Sequence, residues 1–456
     1  MGSCTLRICA SFGSTRLICA SFGSTRLICA SLGITRLIGT DTCIFGITRL
    51  IRASFGITRL ICAFYGTTRL LCKGTARGRP TRGKKDAPES WVVTPPPDTS
   101  SPPHKVCLLR RALYGLKQAP RAWFATFSST ITQLGFTSSP HDTALFTRHT
   151  PQGHIRSPTY LGQHFEMKDL GSLNYFLGLE FSRRSDRYLL SQAKYASDLL
   201  ARSGITDSNT ASTPLDLNVH LTPYDGVPLE DVSLYRQLVG SLIYLTVTRP
   251  DIAYAVHIVS QFMAAPRTIH FTAVLRILRY VKGTLGHGLQ FSSQSSLVLS
   301  GYSDADWAGD PTDRRSTTGY CFYLGDSLIS WCSKKQSVVS RSSTESEYRA
   351  LAHATAELLW LRWLLVDMGV PQQGPTLLHC DTRSAIQIAH NDVFHEHTKH
   401  IENDCHFIRH HLLSHTLLLQ PVSTTKQPAD IFTKALPSTR FNQIRIKLKL
   451  TATLPP

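Results

Sequence analysis

From Leu297 onward the chain alternates apolar and polar residues at the period of a half-buried strand, in LVLSGYSD and then in TGYCFYLG and LISWCSKKQ across a GDS turn. The period then changes. A long amphipathic helix is predicted from about Thr344 to Met368. It is followed by the strand TLLHCD, the helix TRSAIQIAH, a His-rich helix, the strand TLLLQPV and a short terminal helix, QPADIFTKAL. Three antiparallel strands, a helix, and then strands alternating with helices describe an α/β unit: a mixed five-stranded sheet flanked by helices.

Acidic residues stand at the ends of these elements. Asp304 ends the first strand, Glu345 opens the long helix, Asp381 ends the fourth strand and Asp430 opens the terminal helix. If the first and fourth strands are neighbours, Asp304 and Asp381 emerge side by side, with Glu345 above them and Asp430 at the rim. Like charges that close strongly disfavour ionisation, so such a group calls for divalent cations. Oxygen-only ligands suit Mg2+ or Mn2+, and two metals about 4 Å apart would suit phosphodiester hydrolysis. Each acid also has a plain role as a helix-end charge, Glu345 with Thr344 or Ser343 as cap. On helical spacing Glu347 faces elsewhere and is the weaker candidate. An EF-hand reading of DADWAG fails, because Ala308 and Arg315 stand where oxygen ligands are required.

The rest of the chain has a different texture. Residues 1–75 repeat RLICASFGST, with Arg at 16, 26 and 36 and, after a three-residue slip, at 49, 59 and 69. Near-identical copies with a slip read as a translated tandem repeat rather than a folded domain. A solenoid, a basic tail for nucleic acid and an organellar transit peptide are the alternatives. Residues 76–105, rich in Pro, Gly and charge, form a linker. Residues 1–85 hold fourteen of the 49 Lys and Arg but one of the 31 acids, so the net charge of +18 says little about the folded part. Seven of the twelve cysteines precede residue 73 and none forms a CxxC pair. That excludes a zinc-finger pattern and points to a reduced, intracellular setting, in the cytoplasm or nucleus. No apolar run approaches the ~18 residues of a membrane span.

YSDADWAGDPTDRRSTTGYCFYLG, ISWCSKKQSVVSRSSTESEYRALAHATAELLWL and TKQPADIFTKAL closely resemble the RNase H domain of copia-type LTR retrotransposon Pol polyproteins. LRRALYGLKQAPRAWF, HFEMKDLGSLNYFLGLEF, YRQLVGSLIYLTVTRPDIAYAV and LRILRYVKGT resemble the reverse transcriptase and connection that precede it. The resemblance covers about residues 106–440. It implies an incomplete reverse transcriptase palm and thumb-connection over 106–286, an RNase H-like domain over 287–440 and a tail over 441–456. By resemblance Asp304, Glu345, Asp381 and Asp430 are the metal-binding acids, with Glu402 in reserve for Asp430, and Asp306 and Asp310 are turn or surface acids. The implied cofactor is Mg2+ or Mn2+. The implied partner is an RNA/DNA hybrid, gripped by Arg314, Arg315, Lys334, Lys335 and Arg341, with other retroelement proteins as further partners. No small-molecule substrate and no membrane is implied.

The departures from the family pattern concern the polymerase. Its two-metal chemistry needs an Asp-Asp pair on a hairpin. No Asp-Asp dipeptide occurs in the chain, and only TRHTPQGHIRSPTYLGQH lies where the hairpin belongs. Polymerase activity is therefore expected to be lost. In the RNase H-like part Thr382 replaces a usual Asn and His410 a usual Glu, neither of them an expected ligand. His395, His397, His400, His406, His410, His411 and His415 form a loose run rather than a zinc site. Two functions stay open: a metal-dependent RNA/DNA-hybrid ribonuclease, and an inactive transposon remnant that binds nucleic acid nonspecifically.

Overall fold

The computed structural model describes residues 119–142, 145–150, 174–205, 209–217, 219–391 and 401–452, together with strand segments at 2–7, 91–93 and 107–109. Strand β1 (Gly2–Arg7) pairs antiparallel with β5 (Leu145–Thr150), and β2 (Trp91–Val93) pairs with β3 (Cys107–Leu109). The ten-residue repeat beyond Arg7 lies outside the described residues. Helix α1 (Ala119–Gln133) and strand β4 (Thr137–Ser138) precede β5, whose Leu145 is buried in the C-terminal core.

A first five-stranded antiparallel sheet has the order β15-β9-β8-β7-β6. It is built from β6 (Tyr175–Phe176), β7 (Leu179–Arg183), β8 (Arg187–Ser191), β9 (His287–Ser292) and β15 (Leu450–Ala452). Helices α2 (Ala193–Ser203), α3 (Val232–Leu245), α4 (Ala253–Ser260) and α5 (Thr268–Gly283) supply the rest of its core. The TRPD turn after α3 is buried. Arg249 binds Asp251 at 2.7 and 2.9 Å and the Thr284 carbonyl at 2.9 Å, and the Tyr280 hydroxyl donates to Asp251 at 2.5 Å.

The second sheet, the mixed five-stranded one expected from sequence, has the order β12-β11-β10-β13-β14. Strands β10 (Leu299–Ala305), β11 (Thr317–Leu324) and β12 (Ser327–Lys335) are antiparallel, and β13 (Thr376–Cys380) and β14 (Leu417–Pro421) add parallel to β10. This is the RNase H-like mixed sheet. Helices α6 (Ser343–Asp367), α7 (Arg383–His390) and α8 (Glu402–Leu413) cover one face, on Phe322, Leu324 and Ile329. Cys321, Tyr323, Leu328 and Trp331 point the other way, into the core of the first sheet and its helices. Leu328 and Trp331 share a face although three residues apart, because a register shift opposite Phe322/Tyr323 leaves Ile329 as the extra residue of a bulge.

Strand pairing and packing cross two of the boundaries drawn from sequence. His287–Ser292 pairs with β8 and belongs to the first sheet, not to the RNase H-like unit. Residues 441–452 pack against the first sheet rather than trailing from the domain. Helix α9 (Ser438–Lys447) buries Phe441 and Ile444, and β15 closes on β9. The two sheets share one apolar core, and Trp331 Nε1 donates to the Thr246 carbonyl across it at 3.2 Å.

Candidate active site

The parallel pairing of β10 with β13 sets Tyr302 opposite His379, so Asp304 and Asp381, each two residues further on, leave the same sheet end side by side. A 3-10 turn at Pro428–Phe432 brings Asp430 to them. Gln427 Nε2 pins that turn to β10 by donating to the Ser303 carbonyl at 2.9 Å. Gly319, the antiparallel partner of Asp304, makes the approach possible: a Cβ there would sit 2.6 Å from Thr433 Cγ2 and 2.9 Å from Phe432 Cβ.

The second turn-facing acid is Glu347, not Glu345. Ser342 is the N-cap of α6, its Oγ accepting from Glu345 N at 3.2 Å, which places Glu345 at the third helical position. From there Glu345 reaches backward. Its Oε2 accepts from Arg341 N at 2.7 Å and its Oε1 from Arg349 at 2.9 and 3.1 Å, a variant of the capping box. Two residues later the helix has turned by about 200°, and Glu347 is buried against the sheet end. The Ala305 amide donates to its carboxylate, and burial, then Asp304 and then Asp381 push its pKa well above the usual range. One carboxylate oxygen each from Glu347 and Asp381 and the Cys380 sulfur lie within 4.8 Å of one another.

Asp304 is almost wholly buried, and its pKa is raised to about 6, chiefly by burial; Lys434 opposes the shift and Asp430 adds to it. Thr433 Oγ1 donates to Asp304 Oδ2. Lys434 Nζ lies 2.8 Å from Asp430 Oδ1 and 3.6 Å from Asp304 Oδ2, and Arg440 holds the other Asp430 oxygen at 3.2 Å. Burial works against the Lys434 charge, yet Asp304 and Asp430 outweigh it and raise its pKa. Asp381 Oδ2 accepts from Thr424 Oγ1 at 3.0 Å, while its Oδ1 is buried without a hydrogen-bond partner.

The remaining residues singled out from sequence sort clearly. The Asp306 carboxylate accepts from Thr317 N, and Asp310 accepts from Thr312 N and Asp313 N, so both brace the turn after β10. Glu402 lies at the exposed start of α8 facing His406, away from the acids. His395, His397 and His400 lie outside the described residues, and among the described residues no metal-like grouping includes a histidine. Of the basic residues, Lys335 is taken up by Asp310 and by Asp313 at 2.9 Å, and Arg315 faces Asp313 at 3.6 Å. Arg314, Lys334 and Arg341 are exposed.

The folded-state pKa of Asp304, about 6, lies above the 3.8 of a free carboxyl, so the fold holds the proton more tightly than the unfolded chain does. The buried carboxyl costs no stability below about pH 4; the cost appears as pH rises through the folded pKa and persists above it. Asp304→Asn is therefore expected to melt higher than the parent in chelator near pH 7.5, by on the order of 1–3 kcal/mol. The advantage should vanish near pH 4, which thermal unfolding at the two pH values checks.

The family model described as reverse transcriptase (RNA-dependent DNA polymerase) matches residues 85–161 and 157–217. The retrovirus-related Pol polyprotein from transposon RE1 of Arabidopsis thaliana is 42% identical over 373 residues, covering 77% of this chain and 25% of its own length. A transposon Ty5-1 protein of Saccharomyces cerevisiae is 32% identical over 279 residues, 56% of this chain and 91% of that protein. The solved LC11-RNase H1, from a compost metagenome, aligns with 30% of this chain and 93% of its own at 17% identity, with a TM-score of 0.24. The chain spans about a quarter of the length of the Arabidopsis Pol relatives it matches. With a reverse transcriptase match followed by an RNase H-like sheet, and with identity to transposon proteins over most of its length, the chain belongs to the family of retrovirus-related Pol polyproteins of copia-type transposons.

Proposed function

We propose that the C-terminal half is a divalent-metal-dependent ribonuclease acting on the RNA strand of RNA/DNA hybrids, with Asp304, Glu347, Asp381 and Asp430 as its metal-holding carboxylates. The observation that carries this reading is the convergence of four acids on one sheet end, with Asp304 and Glu347 both raised in pKa by burial first and by neighbouring acids second. The donor set fits a hard cation: carboxylate oxygens, one of them the orphaned Asp381 Oδ1, beside a Cys380 thiol that burial keeps protonated. Mg2+ or Mn2+ held there would supply the positive charge that phosphodiester hydrolysis needs, on the attacking water and on the leaving oxygen. The protein's own part is orientation. The Gln427 clamp, Thr433 and Lys434 fix Asp304 and Asp430, and the Ala305 amide fixes Glu347.

A hybrid substrate follows from family membership together with the exposed cations Arg314, Lys334 and Arg341 beside the acids, whereas Lys335 and Arg315 are neutralised. We further infer that the chain has no polymerase activity, since an Asp-Asp pair is absent from its sequence. Among the described residues no helix is long and apolar enough to cross a membrane. The test is incubation of the full chain with a hybrid labelled on either strand. The RNA strand should be cut in Mg2+ or Mn2+, the DNA strand should stay intact, and chelator or Asp304→Asn should abolish cutting. A folded chain that leaves the hybrid whole in both metals would instead support an inactive remnant.

A further inference from the structure

Beside the four acids lies an apolar patch that the proposed chemistry does not use. Trp307, Val338 and Val339 are 53%, 43% and 51% exposed, although Trp307 is only three residues beyond the buried Asp304. The two loops that carry them are braced. Trp307 Nε1 donates to the Ser340 carbonyl at 3.1 Å, joining the turn after β10 to the connection between β12 and α6. Ala308 is held at φ +52°, a left-handed conformation that is strained for a non-glycine residue; its amide donates to Ser316 Oγ at 3.1 Å. Beneath the connection, the buried Gln336 side chain donates to Thr318 Oγ1 at 3.1 Å and Ser346 O at 2.9 Å and accepts from Ser340 Oγ at 3.0 Å.

Scattered exposed apolar residues need no explanation. Three of them on two interlocked loops, one holding a strained backbone, do. The patch is flanked by Arg341 and Arg314, both exposed and neither in an ion pair among the described residues. A flat aromatic surface between unpaired cations suits a polyanion with apolar faces between its charges, which describes nucleic acid. Three residues of extended chain span at most about 10 Å, or about three base steps at a ~3.4 Å rise. A phosphodiester held at the carboxylates therefore brings nearby sugars and bases over Trp307. In an A-form-like duplex the wide, shallow minor groove presents those edges.

We propose that Trp307, with Val338 and Val339, is a rigid apolar platform for the minor-groove edge of a bound RNA/DNA hybrid, which makes Trp307 a positioning residue. This inference rests on the hybrid as substrate but not on cleavage being retained. Affinity is read by anisotropy of a labelled hybrid on the full chain in the Asp304→Asn background, which removes cutting. Trp307→Ala should weaken binding about tenfold and leave the slope of log affinity against log salt unchanged, whereas Arg341→Ala should reduce that slope by about one. In the cleavage-competent chain Trp307→Ala should raise KM more than it lowers kcat, and Trp307→Phe should restore most of the loss. Trp363→Ala, which removes a 47% exposed tryptophan at the far end of α6, should change neither.

If Trp307→Ala unfolds, Val338→Ser with Val339→Ser carries the test, with a several-fold loss expected. Unchanged affinity in a chain that cleaves hybrid would overturn the platform and leave the ribonuclease standing. Weakened affinity in a chain whose parent does not cleave would support the platform and defeat the ribonuclease. Failure of the parent to bind hybrid would overturn both.

Discussion

Replacing Glu347 by Gln is expected to cut metal-dependent hybrid cleavage by about a thousandfold or more, while Glu345→Gln leaves the rate within a few-fold of the parent. The contrast follows from the helix phase. Glu347 faces Asp304 and Asp381, so its charge bears on any cation held there. Glu345 spends both oxygens on Arg341 N and Arg349. Its loss should appear in stability instead, at about 0.5–2 kcal/mol, the usual range for a helix-end bond. Initial rates at saturating Mn2+ and thermal melts of the two variants check both halves of this expectation.

An equally large effect is expected from cutting the chain where the sequence suggests a domain. A fragment of residues 287–440 should fail to fold cooperatively, whereas residues 174–452 should unfold in one transition. The shorter piece uncovers Tyr323, Leu328, Trp331, Ile431 and Phe432, whose partners lie in α3, α4, α5 and α9. Exposing each costs about 1.5–3 kcal/mol, and the sum matches the whole stability of a typical domain, about 5–15 kcal/mol. The fragment also strands β9 without β8 and β15. Near-UV circular dichroism during urea titration distinguishes the cases, since only the longer piece should show a sigmoidal loss of signal.

The C-terminal sheet was legible as a mixed five-stranded sheet because three strands joined by tight turns precede two that alternate with helices, while the order β12-β11-β10-β13-β14 is supplied by the structure. The adjacency of Asp304 and Asp381 was conditional on the first and fourth strands being neighbours, which the parallel pairing of β10 with β13 supplies. The helical acid was not legible in the same way. Ser342, Ser343 and Thr344 are all good caps, and a shift of one or two residues in the cap turns the helix enough to exchange Glu345 for Glu347. The sequence did hold a deciding signal: Ser342 with Glu345 is the S-x-x-E of a capping box, which commits that acid to the backbone. The pairing of β9 was not legible for another reason. HGLQFS fits either sheet by alternation, and its partners lie about a hundred residues before it and about 160 after it, beyond the reach of local pattern. Lys335 and Arg315 read as substrate contacts because composition cannot show that Asp310 and Asp313 fold back on them.

The claim on which the rest depends is that Asp304, Glu347, Asp381 and Asp430 together bind divalent metal. Titration of the full chain with Mn2+, following loss of the free-ion electron paramagnetic resonance signal, tests it without any need for turnover. The parent and Glu345→Gln are expected to take up Mn2+ alike, and Glu347→Gln and Asp304→Asn to lose most of that uptake. Equal uptake by the parent and Glu347→Gln, or a selective loss in Glu345→Gln, would contradict that claim.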